Sequence, residues 1–156
     1  MNITLELNKI IISNIYFLEK KKNIIMDGNF TKILYSNSWF TMNGLYVLFP
    51  IEILSIDKNI NKSILKFNPY QNNNITIIQE FVKLEQQILE YYVKLNNCKS
   101  KLSTNLLRQL YLGTLKIYKD FNLTDNKNLH YMIKISGVWE THENVGITYK
   151  VIEVNI

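Results

Sequence analysis

Residues 129–154, LHYMIKISGVWETHENVGITYKVIEV, form two extended runs folded back on each other across a polar connection, and every other element has to be arranged around that pair. In the first run Tyr131, Ile133 and Ile135 alternate with Met132, Lys134 and Ser136. In the second, Ile147, Tyr149 and Val151 alternate with Thr148, Lys150 and Ile152. A period of two puts successive side chains on opposite faces of a strand, so each run predicts two distinct faces. Gly137 interrupts the first alternation and predicts a bulge or a close backbone approach. The densest run of candidate functional side chains also lies here: Trp139, Glu140, His142, Glu143, Tyr149 and Lys150.

The same period opens the chain, where Ile3, Leu5 and Leu7 alternate with Thr4, Glu6 and Asn8 and predict a strand continuing through an apolar stretch to Leu18. Lys20, Lys21 and Lys22 then start a polar connection that contains an Asp27-Gly28 turn signal. A second strand is expected over residues 30–36, with Ile33 and Tyr35 on one side. Asn43-Gly44 predicts a tight hairpin turn, because both residues tolerate positive φ. It leads into a β-rich run over 45–56, which Pro50 confines to an edge or a bulge. Residues 64–67 predict a short strand ended by Pro69.

The period then changes. Ile78, Phe81, Leu84, Ile88, Tyr92 and Leu95 fall three or four apart, a helical stripe running from a cap at Asn74 to about Asn96-Asn97. Ser103 is the expected cap of a second helix with the stripe Leu106, Leu107, Leu110, Thr114, Ile117, Tyr118 and Phe121. The short link between the two suits a helical hairpin. Gly113 costs that helix about 1 kcal/mol against alanine and suggests a close neighbour. Residues 120–128 are expected to form a loop. The order is thus three strands, a helical hairpin inserted at about 74–121, and two closing strands, all in a single domain over residues 1–156. This is α+β, with the element order of an OB-like antiparallel barrel or curled sheet.

Composition narrows the chemistry. Asparagine, isoleucine and lysine are heavily used, alanine is absent and Arg108 is the only arginine, a bias that AT-rich coding explains. The net charge of +5 permits contact with nucleic acid or an anionic surface, and serves solubility equally well. With lysine as the cation, phosphate is met as a point charge, whereas bidentate reading of guanine mostly uses arginine. Sequence-specific duplex reading is therefore disfavoured. Cys98 is the single cysteine, so neither an internal disulfide nor a cysteine-based zinc site is expected. The first residues lack the charge order of a secretory signal, and no stretch reaches the roughly 18 uninterrupted apolar residues of a membrane span. The expectation is an intracellular protein with no membrane partner. The Asn-x-Ser/Thr triplets at Asn2, Asn29, Asn61, Asn74 and Asn122 then stay unmodified.

No GxSxG, Walker A, HExxH or GxGxxG pattern is present. Glu140, His142 and Glu143 bring acids and an imidazole together, but their spacing matches no ligand motif, and polar side chains are what a solvated hairpin connection carries. No catalytic residue, metal site or cofactor is expected. OB-like barrels bind single strands along a basic groove with aromatic rings on which bases stack. Candidate stackers are Trp39, Phe40, Tyr46, Trp139 and Tyr149. Candidate phosphate contacts are Lys32, Lys66, Lys134 and Lys150, each within or beside an expected strand.

ISGVWET at residues 135–141, followed by GITYKVIEV at 146–154, resembles the closing block of small proteins encoded by large DNA viruses of eukaryotes. The resemblance is confined to this closing stretch and carries over no catalytic residue. It implies a viral origin, with replication accessories and virion components as the natural classes, and the host nucleus or a viral factory as the location. The leading expectation is a non-enzymatic single-stranded nucleic-acid-binding protein acting as a viral replication accessory. The alternative is a viral structural or assembly protein that binds other viral proteins or itself.

Overall fold

The computed structural model of the chain describes residues 4–23, 27–58, 62–118 and 129–155. Its strands are β1 (Ile15–Phe17), β2 (Lys21–Asn23), β3 (Gly28–Ser36), β4 (Thr41–Met42), β5 (Leu45–Leu48), β6 (Ser55–Lys58), β7 (Ser63–Lys66), β8 (Lys101–Leu102), β9 (Thr114–Tyr118), β10 (Leu129–Glu140) and β11 (Asn144–Asn155). Two α-helices, α1 (Asn72–Asn96) and α2 (Asn105–Leu112), lie between β7 and β9 in the chain. The fold is mixed α+β and dominated by one open sheet, in the order β1-β3-β10-β11-β9-β7-β6, with β2 and β4 on β3, β5 on β10 and β8 on β11.

The closing hairpin is the spine of this sheet. β10 and β11 pair antiparallel along their whole length, from Leu129 opposite Asn155 to Glu140 opposite Val145. The register shifts between Ile135 and Gly137, where a Cβ on Gly137 would stand 2.4 Å from the Thr31 carbonyl oxygen. Bulge and close approach are therefore one device. The bend lets β10 change partner, from β5 before it (Ile135 opposite Leu45) to β3 after it (Gly137 opposite Lys32).

One face of the sheet is covered by the helices. Ile33, Val47, Ile133, Ile135, Val138, Val145, Ile147 and Val151 are buried in a single cluster with Ile78, Phe81, Leu84, Ile88, Leu89 and Tyr92 of α1 and Leu106 and Leu110 of α2. Fully burying side chains of this kind contributes about 1.5–3 kcal/mol each, so the helix stripe anchors α1 more firmly than its propensity does. Asn97, at φ 48°, ends α1 by sending its N–H to the Val93 carbonyl.

Several expectations give way. Among the described residues the opening segment is not a strand: Leu7–Lys9 and Ile12–Asn14 are 3₁₀ turns, and the first strand begins at Ile15. Leu5 keeps one parallel bridge to Val47, while Leu7, Ile10 and Ile12 pack against the core, lining a hollow beside Leu84 of α1. Apolar contact with the helix replaces ladder pairing there; Ile3 lies outside the described residues. The lysine triplet is part strand, since Lys21 and Lys22 pair with Phe30 and Asn29. Asn43-Gly44 does not close a hairpin: β4 pairs with β3 and β5 with β10, so the chain changes neighbour at this turn. Strand stops at Leu48, ahead of Pro50, which cannot donate to a ladder.

The second helix is much shorter than its stripe predicts. It ends at Gly113, at φ 75°, and Thr114, Ile117 and Tyr118 belong to β9. Left-handed backbone at Gly113 terminates the helix, and Leu115 and Ile117 then alternate inward as a strand does. Its first cap residue is Thr104 and not Ser103, with no side-chain cap of its own. Asn74 sits inside α1, buried, accepting the Glu52 N–H at 2.8 Å and donating to the Glu52 and Asn68 carbonyls at 3.0 Å each. Phe121, the loop at 120–128, and the triplets at Asn2, Asn61 and Asn122 lie outside the described residues. Among the described residues no helix is long and apolar enough to cross a membrane.

Candidate nucleic-acid interface

The strand period sorts side chains onto the second, helix-free face. On β11 Thr148 and Lys150 are exposed, while Ile147 and Val151 are buried. Lys134 stands opposite Lys150, and Tyr46 opposite Lys134, so these three share that face. Past the bulge, Trp139 pairs with Gly146 and Phe30 with Trp139. Both glycines here make room for rings: a Cβ on Gly146 would lie 2.5 Å from the Trp139 indole, and one on Gly137 2.6 Å from the Phe30 ring. Lys32, opposite Gly137, is exposed beside them. On the other flank β9 adds Lys116 and Tyr118 through the pairing of Tyr118 with Ile152.

Rings and ammonium groups on this face are interleaved. The Lys134 Nζ lies 5.1 Å from the centre of the Tyr46 ring. The Tyr118 ring is approached by two lysines, Lys116 at 5.4 Å and Lys150 at 5.7 Å. The row Tyr46–Lys134–Lys150–Tyr118 crosses four strands, roughly 15 Å at the usual strand spacing. Lysines 134 and 150 are directly opposite one another, an arrangement that costs stability unless something anionic lies between or above them. Met132, on the same face, is buried, so on β10 the open surface is interrupted between the exposed His130 and Lys134.

Of the sequence-derived candidates, Lys32, Tyr46, Lys134, Trp139 and Lys150 come together on this face. Lys66 shares it by register, but its ammonium is 2.7 Å from the Asp57 carboxylate and so partly neutralised. Tyr149 faces the helices instead, half-buried, with its hydroxyl pushed up to about 12 by burial and by the nearby Glu85 carboxylate. Phe40 stacks on the buried Tyr35, 6.4 Å between ring centres. Trp39 projects from the β3–β4 connection, 88% exposed, its backbone N–H donating to the Asn37 side-chain oxygen at 2.8 Å. Sequence reasoning missed Phe30, Lys116 and Tyr118. The first follows from the alternation of β3, with Lys32 two residues on; the other two were hidden by their assignment to a helix.

The acid–imidazole cluster disperses. Glu140 turns inward, 3.0 Å from Lys20, whereas His142 and Glu143 are exposed in the turn. Burial alone would raise the Glu140 carboxyl, but hydrogen bonds from Cys98 and Lys20 outweigh it and hold it below the ordinary carboxylate range. The Cys98 thiol is pushed up, by burial first and then by donating to Glu140, which is the opposite of what a nucleophilic thiolate needs. Among the described residues no group of His, Cys, Asp or Glu is placed to hold a metal ion. Comparison of the chain with protein-family models, with curated proteins and with solved structures gave no match.

Proposed function

We propose that this protein is a non-enzymatic single-stranded nucleic-acid-binding protein that lays the strand across the helix-free face of its sheet. The observation that carries the reading is the alternation of rings and ammonium groups on that face: Trp139 and Phe30 beside Lys32, and Tyr46 and Tyr118 beside Lys134, Lys150 and Lys116. Lysines neutralise phosphates while bases stack on the rings, which needs no fixed sequence. An OB-like curl of the sheet, a viral origin and a replication role belong to the same proposal. Anisotropy of a fluorescent single-stranded oligonucleotide, titrated at rising salt, tests it. Binding should weaken linearly on logarithmic axes, and a Lys134→Gln, Lys150→Gln double variant should show a shallower slope. Absence of binding at low salt, or binding indifferent to salt, removes the reading.

A second reading, an assembly protein acting through protein–protein contacts, is favoured by apolar side chains off this face. Trp39 is 88% exposed, and Ile11, Tyr16 and Leu18 around edge strand β1 are 56%, 54% and 43% exposed. Concentration-dependent self-association by light scattering, abolished by Trp39→Ser and Tyr16→Ser and unaccompanied by oligonucleotide binding, would favour it.

A further inference from the structure

The sheet has a gap beside its own spine. β11 pairs in parallel with β8 at Asn144 and Val145 and with β9 at Val151 and Ile152, and among the described residues no strand pairs with residues 146–150 on that side. The chain crosses this gap as α2. What remains is a cleft of about 450 Å³ bounded by Asn105 and Gln109 of α2, Lys116 and Tyr118 of β9, and Tyr149 and Lys150 of β11. Its size falls within the range of small-molecule pockets, about 300–1,000 Å³. Because the gap passes through the sheet, its lining mixes the two faces: Lys116, Tyr118 and Lys150 reach it from the open side, Tyr149 from the helix side.

The chemistry around the cleft is that of nucleotide recognition. Asn105 and Gln109 are four residues apart on one helix, so their amides stand one above the other along the same wall. An amide offers a donor and an acceptor side by side, the pattern that matches the N6–H and N7 edge of adenine. Asn105 is steadied by the Ser103 hydroxyl at 3.4 Å. Tyr118 supplies a ring at the mouth, on which a base stacks once the two flexible lysines now over it swing to the phosphates.

We infer that the cleft between β9 and β11 is a base pocket: one adenine of the bound strand turns out of the stack into it, read by the Asn105 and Gln109 amides, its phosphates on Lys116 and Lys150. This rests on the single-strand reading above and adds a base preference at one position, where the open face alone has none. The test compares an all-thymine oligonucleotide with one carrying a single central adenine, and with the same strand carrying 7-deazaadenine, which lacks the N7 acceptor. The full chain should bind the adenine strand about 5- to 150-fold more tightly than the all-thymine strand, the span of one bidentate contact. The 7-deaza strand and the Gln109→Ala variant should each erase that difference, with the variant's circular dichroism unchanged. Salt-dependent binding equal for all three strands overturns the pocket alone. Failure of every strand to bind overturns the pocket and the open-face reading together.

Discussion

Glu85 is the residue whose place is hardest to explain by packing alone. Its side chain is fully buried in α1, yet no lysine or arginine is paired with it among the described residues. Its two oxygens instead accept the backbone N–H groups of Leu106 at 3.0 Å and Leu107 at 2.9 Å. These are first-turn donors of α2, a helix whose own Thr104 provides no cap, so α1 caps α2 from outside. Removing the carboxylate leaves one buried and one half-buried donor unsatisfied, and Glu85→Ala should cost about 1–3 kcal/mol in urea unfolding. An unchanged midpoint would mean that water serves these donors equally well. Burial pushes the Glu85 carboxyl above the ordinary range, and the two N–H groups only partly offset it. The folded chain therefore holds this proton more tightly than the unfolded one. Its stabilising effect is complete below the unfolded carboxylate pKa and is lost as pH rises through the raised folded value. Glu85→Gln should flatten that loss with rising pH in a stability–pH series. Glu140, held low, acts with the opposite sign: its contribution is present above the unfolded carboxylate pKa and lost as pH falls through the lowered one.

At the scale of elements, the junction between α2 and β9 decides the topology. Gly113 has φ 75°, and a Cβ there would stand 2.4 Å from the Phe67 carbonyl oxygen, while the Gly113 carbonyl accepts the Phe67 N–H at 3.0 Å. One residue thus stops the helix and seats β9 against β7. Gly113→Ala should lose about 1–3 kcal/mol, the usual penalty for left-handed backbone on a residue with a side chain. Thermal unfolding measures the loss, and hydrogen exchange should locate it in Leu115 and Ile117; a melting temperature equal to the parent's would show that another turn serves. The same junction explains what could be read in advance. The stripe from Ile78 to Tyr92 has only helical period, and the runs of β10 and β11 only strand period, so those elements and their faces were legible. Leu110, Thr114 and Ile117 fit a helix, while Leu115 and Ile117 also fit a strand, and periodicity cannot choose between them. Lys116 and Tyr118 were lost from the site with that choice. Tyr149 failed differently: its alternation with Ile147 and Val151 already put it on the buried side, but its ring chemistry suggested an open one. The opening residues misled because Leu7 has strand period but finds its burial against the core beside α1, while Leu5 keeps only a single bridge to Val47.

Across the whole molecule, stability and the proposed activity make opposite demands on one position. Lys150 lies directly opposite Lys134 and shares the Tyr118 ring with Lys116. Like charges opposite each other on a sheet destabilise it by up to about 1 kcal/mol. The ring does not need Lys150 for its cation, since Lys116 stays over it at 5.4 Å. Lys150→Gln therefore relieves two repulsions and leaves a cation–π contact in place, so the free protein should gain a few tenths of a kcal/mol at low salt. Screening should shrink that gain as ionic strength rises, because both lysines are reached by water. The same substitution removes a phosphate contact and should weaken single-strand binding most where salt is lowest. Local conflicts of this kind are expected where a surface is shaped for a ligand and not for its own stability. Denaturant melts of parent and variant at two salt concentrations, run beside the binding titration, measure both halves. A variant that is less stable at low salt, or that binds as well as the parent, would show that the lysine pair is ordinary surface and that the strand does not cross it.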